Sequence, residues 1–199
     1  MSYLDNLFSL SGQAILITGA SSGIGEHWAW TCCKAGCEKL ALCARRTERL
    51  EKLATELRKY YPHLKVCVVT MDVSLDAKEI TAALDKAEKA LDGTTFNVIV
   101  NNAGVGPDSS FLQASQNSFD DTMKINVRGA FILSQETAKR MIAKNIKGSI
   151  INIASIYGLR VGYNNSVYAI SKAAMVQMTK AMSIELLSKG IRVNCIAPG

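Results

Sequence analysis

The chain has 199 residues, 48% hydrophobic and 20% charged, a balance that excludes a disordered polypeptide and fits one domain over residues 1–199. Its 23 basic and 17 acidic side chains leave a net charge of +6. The excess is modest, and its densest stretch is interleaved with Glu38, Glu48, Glu51 and Glu56, so a local phosphate site fits better than a nucleic-acid surface.

The first ten residues have no basic region and include Asp5, which argues against a secretory leader. The longest apolar run, Gly148 to Leu159, is too short to span a bilayer. A cytoplasmic protein with no membrane span is expected. The 6 cysteines (Cys32, Cys33, Cys37, Cys43, Cys67 and Cys195) contain no C-x-x-C. With only His27 and His63 beside them, they read as buried free thiols and not as a metal site.

Short β-rich runs alternate with longer helical patterns. Strands are expected at Ala14–Thr18, Leu40–Ala44, Lys65–Met71, Phe96–Val100, Ser149–Ala154 and Ile191–Ile196. Most are apolar on both faces, as parallel strands covered on both sides require. Ile24, Trp28, Cys32 and Ala35 mark a first helix ending near Gly36. Arg46 to Tyr60 forms a second, stopped by Pro62. Leu75 to Leu91 forms a third, capped by Ser74 and ended by Gly93. Phe119, Met123, Val127, Ala130, Ser134, Ala138 and Met141 mark a long fourth helix, and Ser166 to Leu187 a fifth. This order implies an α/β fold: a Rossmann-like, doubly wound parallel sheet in three layers.

The first strand runs into Thr18-Gly19-Ala20-Ser21-Ser22-Gly23-Ile24-Gly25 and then a helix. Three glycines there let the backbone approach a pyrophosphate at the helix N-terminus, where free N–H groups favour negative charge. A tight turn alone would use the same residues. The spacing is G-x-x-x-G-x-G, not G-x-G-x-x-G. The second strand ends in Arg45-Arg46 with no carboxylate before Glu48. In dinucleotide folds a basic residue there accommodates a 2′-phosphate. Arg45 is the first candidate with Arg46 as its assistant; the alternative is that the pair is only a solvated helix start.

Taken together, the T-G-x-x-x-G-I-G loop, Asn101-Asn102-Ala103-Gly104 after the fourth strand, Ser155, Tyr168-x-x-x-Lys172, and Pro198-Gly199 after the sixth strand resemble the short-chain dehydrogenase/reductase family, in the family's order. Tyr61-x-x-x-Lys65 has the same spacing, but Pro62 and the strand starting at Lys65 keep those side chains off one helix face. Tyr168 and Lys172 share the face of a helix, and an ammonium there favours the phenolate.

The resemblance implies an NADP(H)-dependent oxidoreductase interconverting a ketone and a secondary alcohol, such as a carbonyl or 3-oxoacyl reductase; NAD is the less favoured cofactor. In this reading Tyr168 is the general acid/base, Ser155 holds the carbonyl oxygen, Lys172 contacts the nicotinamide ribose, and Asn126 positions a water. Gly19, Ser21, Ser22, Gly23, Ile24 and Gly25 hold the pyrophosphate. Arg45 and Arg46 read the 2′-phosphate, and Asp72 and Val73 lie near the adenine, unless Asp72 only caps the next helix. Asn102, Ala103, Gly104, Tyr168, Lys172, Pro198 and Gly199 complete the cofactor site. Some NADP-dependent relatives carry a basic residue where this chain has Ser22.

Relatives continue past Pro198-Gly199 into a substrate-binding segment and a final strand. The chain therefore reads as C-terminally truncated, lacking the family's final strand, with an exposed edge beside Ile191–Ile196 and a danger of poor folding. The remaining pocket lining, Val105 to Ser115 and Tyr157 to Ser166, carries only Arg160, which disfavours a highly charged substrate. A homodimer or homotetramer is expected through the two long helices, with Ala130, Ala138, Ala173, Ala174 and Ala181 allowing close packing. The competing reading is a non-catalytic dinucleotide-binding regulator or scaffold, which would have no need of Ser155, Tyr168, Lys172 and Asn126 together.

Overall fold

The computed structural model describes residues 7–107 and 110–199. Residues 1–6, which belong to the stretch read for a leader, and Asp108 and Ser109 of the expected pocket loop lie outside them.

Strand β1 (Ala14–Thr18) is buried at every position, so it needs cover on both faces. It receives that cover in a sheet with β2 (Lys39–Ala44), β3 (Lys65–Thr70), β4 (Val98–Asn101), β5 (Gly148–Ile153) and β6 (Ile191–Ile196). All pairings are parallel, in the order β3-β2-β1-β4-β5-β6. The period-2 alternation divides the core in two. Ile15, Ile17, Leu40 and Leu42 point to one face, where α1 (Gly23–Lys34) and α2 (Thr47–Tyr60) cover them through Ala29, Leu50, Leu53 and Leu57. Leu16, Ala41, Ile99 and Ile150 point to the other face. There α3 (Ala77–Ala90) packs through Ile80 and Leu84. The helix α4 (Gln116–Met123) passes through a π-helical turn, Lys124–Arg128, into α5 (Gly129–Ala143), which packs through Leu133 and Met141. Finally, α6 (Ser166–Leu187) adds Met182 and Leu186 to that core. Three layers result.

Helix α3 starts two residues later than its pattern suggests, and Ser74 is not its cap. The Asp72 carboxylate accepts from the Ser74 N–H (2.9 Å) and hydroxyl (2.7 Å), closing a local turn that uses Ser74 up. Asp76 caps instead, accepting from the Lys78 and Glu79 N–H groups while the Glu79 carboxylate takes the Asp76 N–H, a reciprocal capping box. The thiols of Cys32, Cys33, Cys37, Cys43 and Cys67 are free and buried. Burial pushes Cys32 and Cys33 up to about 12 and Cys37 and Cys67 to about 11.

Among the described residues β6 pairs with β5 alone, so its outer edge is open. The anticipated loss of order there is not seen: Gly148–Ile153 pairs with Ile191–Ile196 along its whole length. No helix of the described residues is long and apolar enough to cross a membrane.

Candidate active site

The order of the sheet reverses between β1 and β4, so the chain leaves their carboxyl ends in opposite directions and a crevice opens between them. Thr18 and Asn102 lock its floor. The Thr18 hydroxyl accepts from the N–H groups of Asn102 (3.0 Å) and Ala103 (3.1 Å), while the Asn102 amide donates to the Thr18 carbonyl (3.0 Å). Gly19 has φ +66°, and a Cβ there would stand 2.9 Å from Ala103 Cα. Any side chain would therefore force the loop and the β4 end apart. Ser22, at the N-cap of α1, makes no side-chain cap bond, which leaves the first-turn N–H groups of that helix free of a capping side chain.

A cavity of about 300 Å3 lies over this floor. Of the expected cofactor residues, Gly19, Ser21, Ser22, Arg45, Arg46, Asp72, Val73, Asn102, Ala103 and Gly104 line it. Arg46, not Arg45, reaches across to the glycine loop, donating to the Ser21 hydroxyl (2.9 Å from Nη2, 3.1 Å from Nε) and to the Ser22 hydroxyl (2.6 Å). The basic group that the loop lacks at Ser22 is thus supplied in space from the end of β2. Arg45 stands exposed on the same wall. Gly23 and Ile24 turn away, into a surface groove with His27, Trp28 and Thr31. Gly25 is buried behind the loop, where a Cβ would run into the Gly19 carbonyl and the Asn102 amide. Pro198 accepts from the Ile156 N–H (2.7 Å), and Gly199 has nothing within 4 Å of where its Cβ would be.

The segment after β4 leads from this cavity to a second group of side chains. A Cβ on Gly104 would lie 3.2 Å from Asn126 Oδ1 and 3.4 Å from Lys172 Nζ. Asn126 sits in the π-helical turn and is fully buried. It donates to the Val105 carbonyl (2.8 Å) and the Ser171 hydroxyl (2.9 Å) and accepts from the Val105 N–H (2.8 Å). Ser171 in turn donates to the Tyr168 carbonyl (2.7 Å). Lys172 is 4% exposed, and its ammonium donates to the Ile153 carbonyl (2.7 Å) and stands 5.5 Å from the Tyr168 ring centroid. Burial pushes Lys172 down from the usual lysine value to about 8. Ser155, buried at the carboxyl end of β5, accepts from the Tyr157 N–H (3.2 Å).

A family model for short chain dehydrogenases matches residues 13–199, the stretch that carries the crevice, Tyr168 and the buried Lys172. The chain belongs to this oxidoreductase family. A 3-oxoacyl-[acyl-carrier-protein] reductase FabG of Rickettsia prowazekii is 36% identical over 193 residues, covering 97% of this chain and 74% of the relative. L-xylulose reductase of Caenorhabditis elegans is 34% identical, with 96% and 72% covered. A gluconate 5-dehydrogenase from Burkholderia cenocepacia, solved in complex with NADP and tartrate, superposes with a TM-score of 0.90 at 29% identity, covering 99% of this chain and 74% of that one.

Val105, expected in the substrate pocket, also lines this cavity, as do Ala44, Met71 and Ile125, which escaped the reading of the sequence. These three are ordinary apolar residues: Ala44 and Met71 could have drawn attention only by their places at strand ends, and Ile125, in the π-helical turn, by nothing in the sequence. Ser171 escaped it as well, because a lone hydroxyl carries no spacing signal, and Thr18 reads as part of the loop motif without a role of its own.

Proposed function

We propose that this dehydrogenase interconverts a ketone and a secondary alcohol with NADP(H), and that Tyr168 is its general acid/base. The observation that carries the reading is the buried Lys172 ammonium one turn from Tyr168, reached through Gly104 from a cavity with Arg45 and Arg46 at its far wall. The residues fit an anionic dinucleotide. The Gly19 cradle has no room for a Cβ, the α1 N-terminus has no capping side chain, and two guanidinium groups lining the cavity offer forked donors to a 2′-phosphate.

Bound NADP(H) supplies or accepts the hydride. In the reducing direction Ser155 donates a hydrogen bond to the substrate carbonyl oxygen, and Tyr168 gives that oxygen its proton as negative charge builds there. Lys172 holds positive charge beside the phenol and makes the phenolate easier to form. Asn126 lines the Gly104 side of Lys172 and orders a water between the ammonium and solvent. In the oxidising direction Tyr168 takes the proton back. The reductase names of relatives support a 3-oxoacyl ester or a sugar ketone among the substrates to try. Titration with NADPH and NADH, followed by nicotinamide fluorescence, tests the cofactor: NADPH should bind at least tenfold more tightly. Turnover of ethyl acetoacetate with NADPH tests the chemistry, and absence of turnover across a panel of ketones removes the reading.

The same proposal extends to self-association through α5 and α6. Of the alanines expected to let helices of two copies approach, Ala130 and Ala138 are buried within the chain, whereas Ala173 and Ala181 are exposed on α6 and Ala174 is half-buried. Larger outward residues stand there too: Phe131 and Ile142 are exposed beside Met182 and Leu186. Sedimentation should show a dimer or tetramer that Phe131→Asp dissociates, and a wild-type monomer at micromolar concentration counts against it.

A further inference from the structure

The turn between β5 and α6 carries a second tyrosine that the chemistry above does not use. Tyr157 lies in the short 3₁₀ turn Ile156–Gly158, half-buried, two residues beyond Ser155. Its ring meets the Tyr168 ring edge to face, with centroids 6.3 Å apart and planes at 82°. That geometry is the preferred one for aromatic pairs, because the positive edge of one ring meets the negative face of the other.

Two glycines make this contact available. A Cβ on Gly158 would stand 2.7 Å from the Lys172 carbonyl oxygen, so only glycine lets the turn lie directly on α6. A Cβ on Gly162 would stand 2.7 Å from Tyr157 Cε1 and 3.1 Å from its hydroxyl oxygen, so the backbone at residue 162 closes over the ring. Tyr157 is also tied to Ser155, whose hydroxyl accepts its N–H at 3.2 Å. On another side of Tyr168 a Cβ at Gly106 would touch the ring at 3.3 Å from Cδ2. The phenol is therefore packed by Tyr157 and by the Gly106 backbone, with Lys172 Nζ 5.5 Å from its ring centroid.

We infer that Tyr157 is a positioning residue: clamped by Gly162, it holds the ring of Tyr168 at the angle from which its hydroxyl reaches the substrate oxygen. This rests on the reading of Tyr168 as the acid/base. A phenol free to swing on its Cβ loses the alignment on which proton transfer depends, at no cost to cofactor binding elsewhere in the crevice.

The test combines turnover with a direct view of the ring. With NADPH and ethyl acetoacetate, Tyr157→Ala should lower kcat by about tenfold or more while leaving KM and the NADPH dissociation constant within twofold. Tyr157→Phe, which keeps the ring, should restore kcat. Gly162→Ala, which pushes on the Tyr157 ring, should lower kcat in the wild-type background and have no further effect in Tyr157→Ala. Fluorine NMR of fluorotyrosine-labelled protein reads the ring itself: the Tyr168 resonance, identified by its loss in Tyr168→Phe, should move in Tyr157→Ala. An unchanged kcat in Tyr157→Ala overturns the inference, as does an equal cost of Gly162→Ala in both backgrounds. An unmoved Tyr168 resonance does the same. If the wild-type protein reduces no ketone, the functional reading falls and the resonance alone decides the role of Tyr157. If Tyr157→Ala does not fold, Tyr157→Leu replaces it with the same expected outcomes.

Discussion

Arg45 and Arg46 stand exposed at the end of β2, whereas Lys172, on the same crevice, is closed in behind Gly104 with its ammonium on the Ile153 carbonyl. An exposed guanidinium stays in contact with water and costs little to place. It can add binding energy and direction, but it cannot respond to its surroundings. A buried ammonium costs desolvation, and that cost appears as a proton held less tightly, at about 8. One end of the crevice thus carries exposed positive charge and the other a charge set by burial. Both use basic residues, and burial is what separates them.

Breaking the chemical end should give the largest effect. Tyr168→Phe removes only the hydroxyl, so turnover should fall by roughly 10²–10⁴-fold while NADPH still binds, as measured by steady-state rates and fluorescence titration. Unchanged turnover would remove Tyr168 as the acid/base.

Lys172 comes next, and its burial makes a prediction about pH. Its folded value lies below the unfolded one, so between pH 8 and about 10.5 the unfolded chain binds more protons than the folded one. Stability of the cofactor-free protein should therefore rise with pH across that window. Lys172→Met should abolish this rise and, at pH 7, stabilise the fold by up to about 3 kcal/mol while impairing turnover. Urea unfolding at pH 7 and pH 10 reads both, and a parallel pH dependence in the two proteins would sink the assignment.

The smallest effect is expected at the binding end. Arg45→Ala should weaken NADPH about tenfold and leave NADH unchanged, since one charged hydrogen bond to an exposed phosphate is lost. Arg46→Ala should weaken both dinucleotides, because it also releases Ser21 and Ser22 of the loop. Equal losses for NADPH and NADH in Arg45→Ala would show that Arg46 alone reads the phosphate.

Much of this was legible in the chain because it is local. The alternation of apolar strands with amphipathic helices, the glycines after β1, and Tyr168 and Lys172 one turn apart depend on neighbours within a few residues, and the structure places them as read. Even here a local competition misled: Ser74 reads as a cap until Asp72 takes its N–H and hydroxyl, leaving Asp76 to start α3.

What only the tertiary structure decided lies between residues far apart in sequence. The place of β4 beside β1 brings Asn102 and Ala103 onto Thr18, and the place of α6 against β5 buries Lys172 on Ile153. Arg46 chose the loop serines, and the outward faces of α5 and α6 carry Phe131 and Ile142 as well as the exposed Ala173 and Ala181, while Ala130 and Ala138 went into the core. Periodicity and capping are set by the backbone within one turn or strand, so one stretch of sequence carries them. A burial-shifted lysine or a guanidinium bridging two loops depends on which elements become neighbours, and that is settled by the packing of the whole sheet.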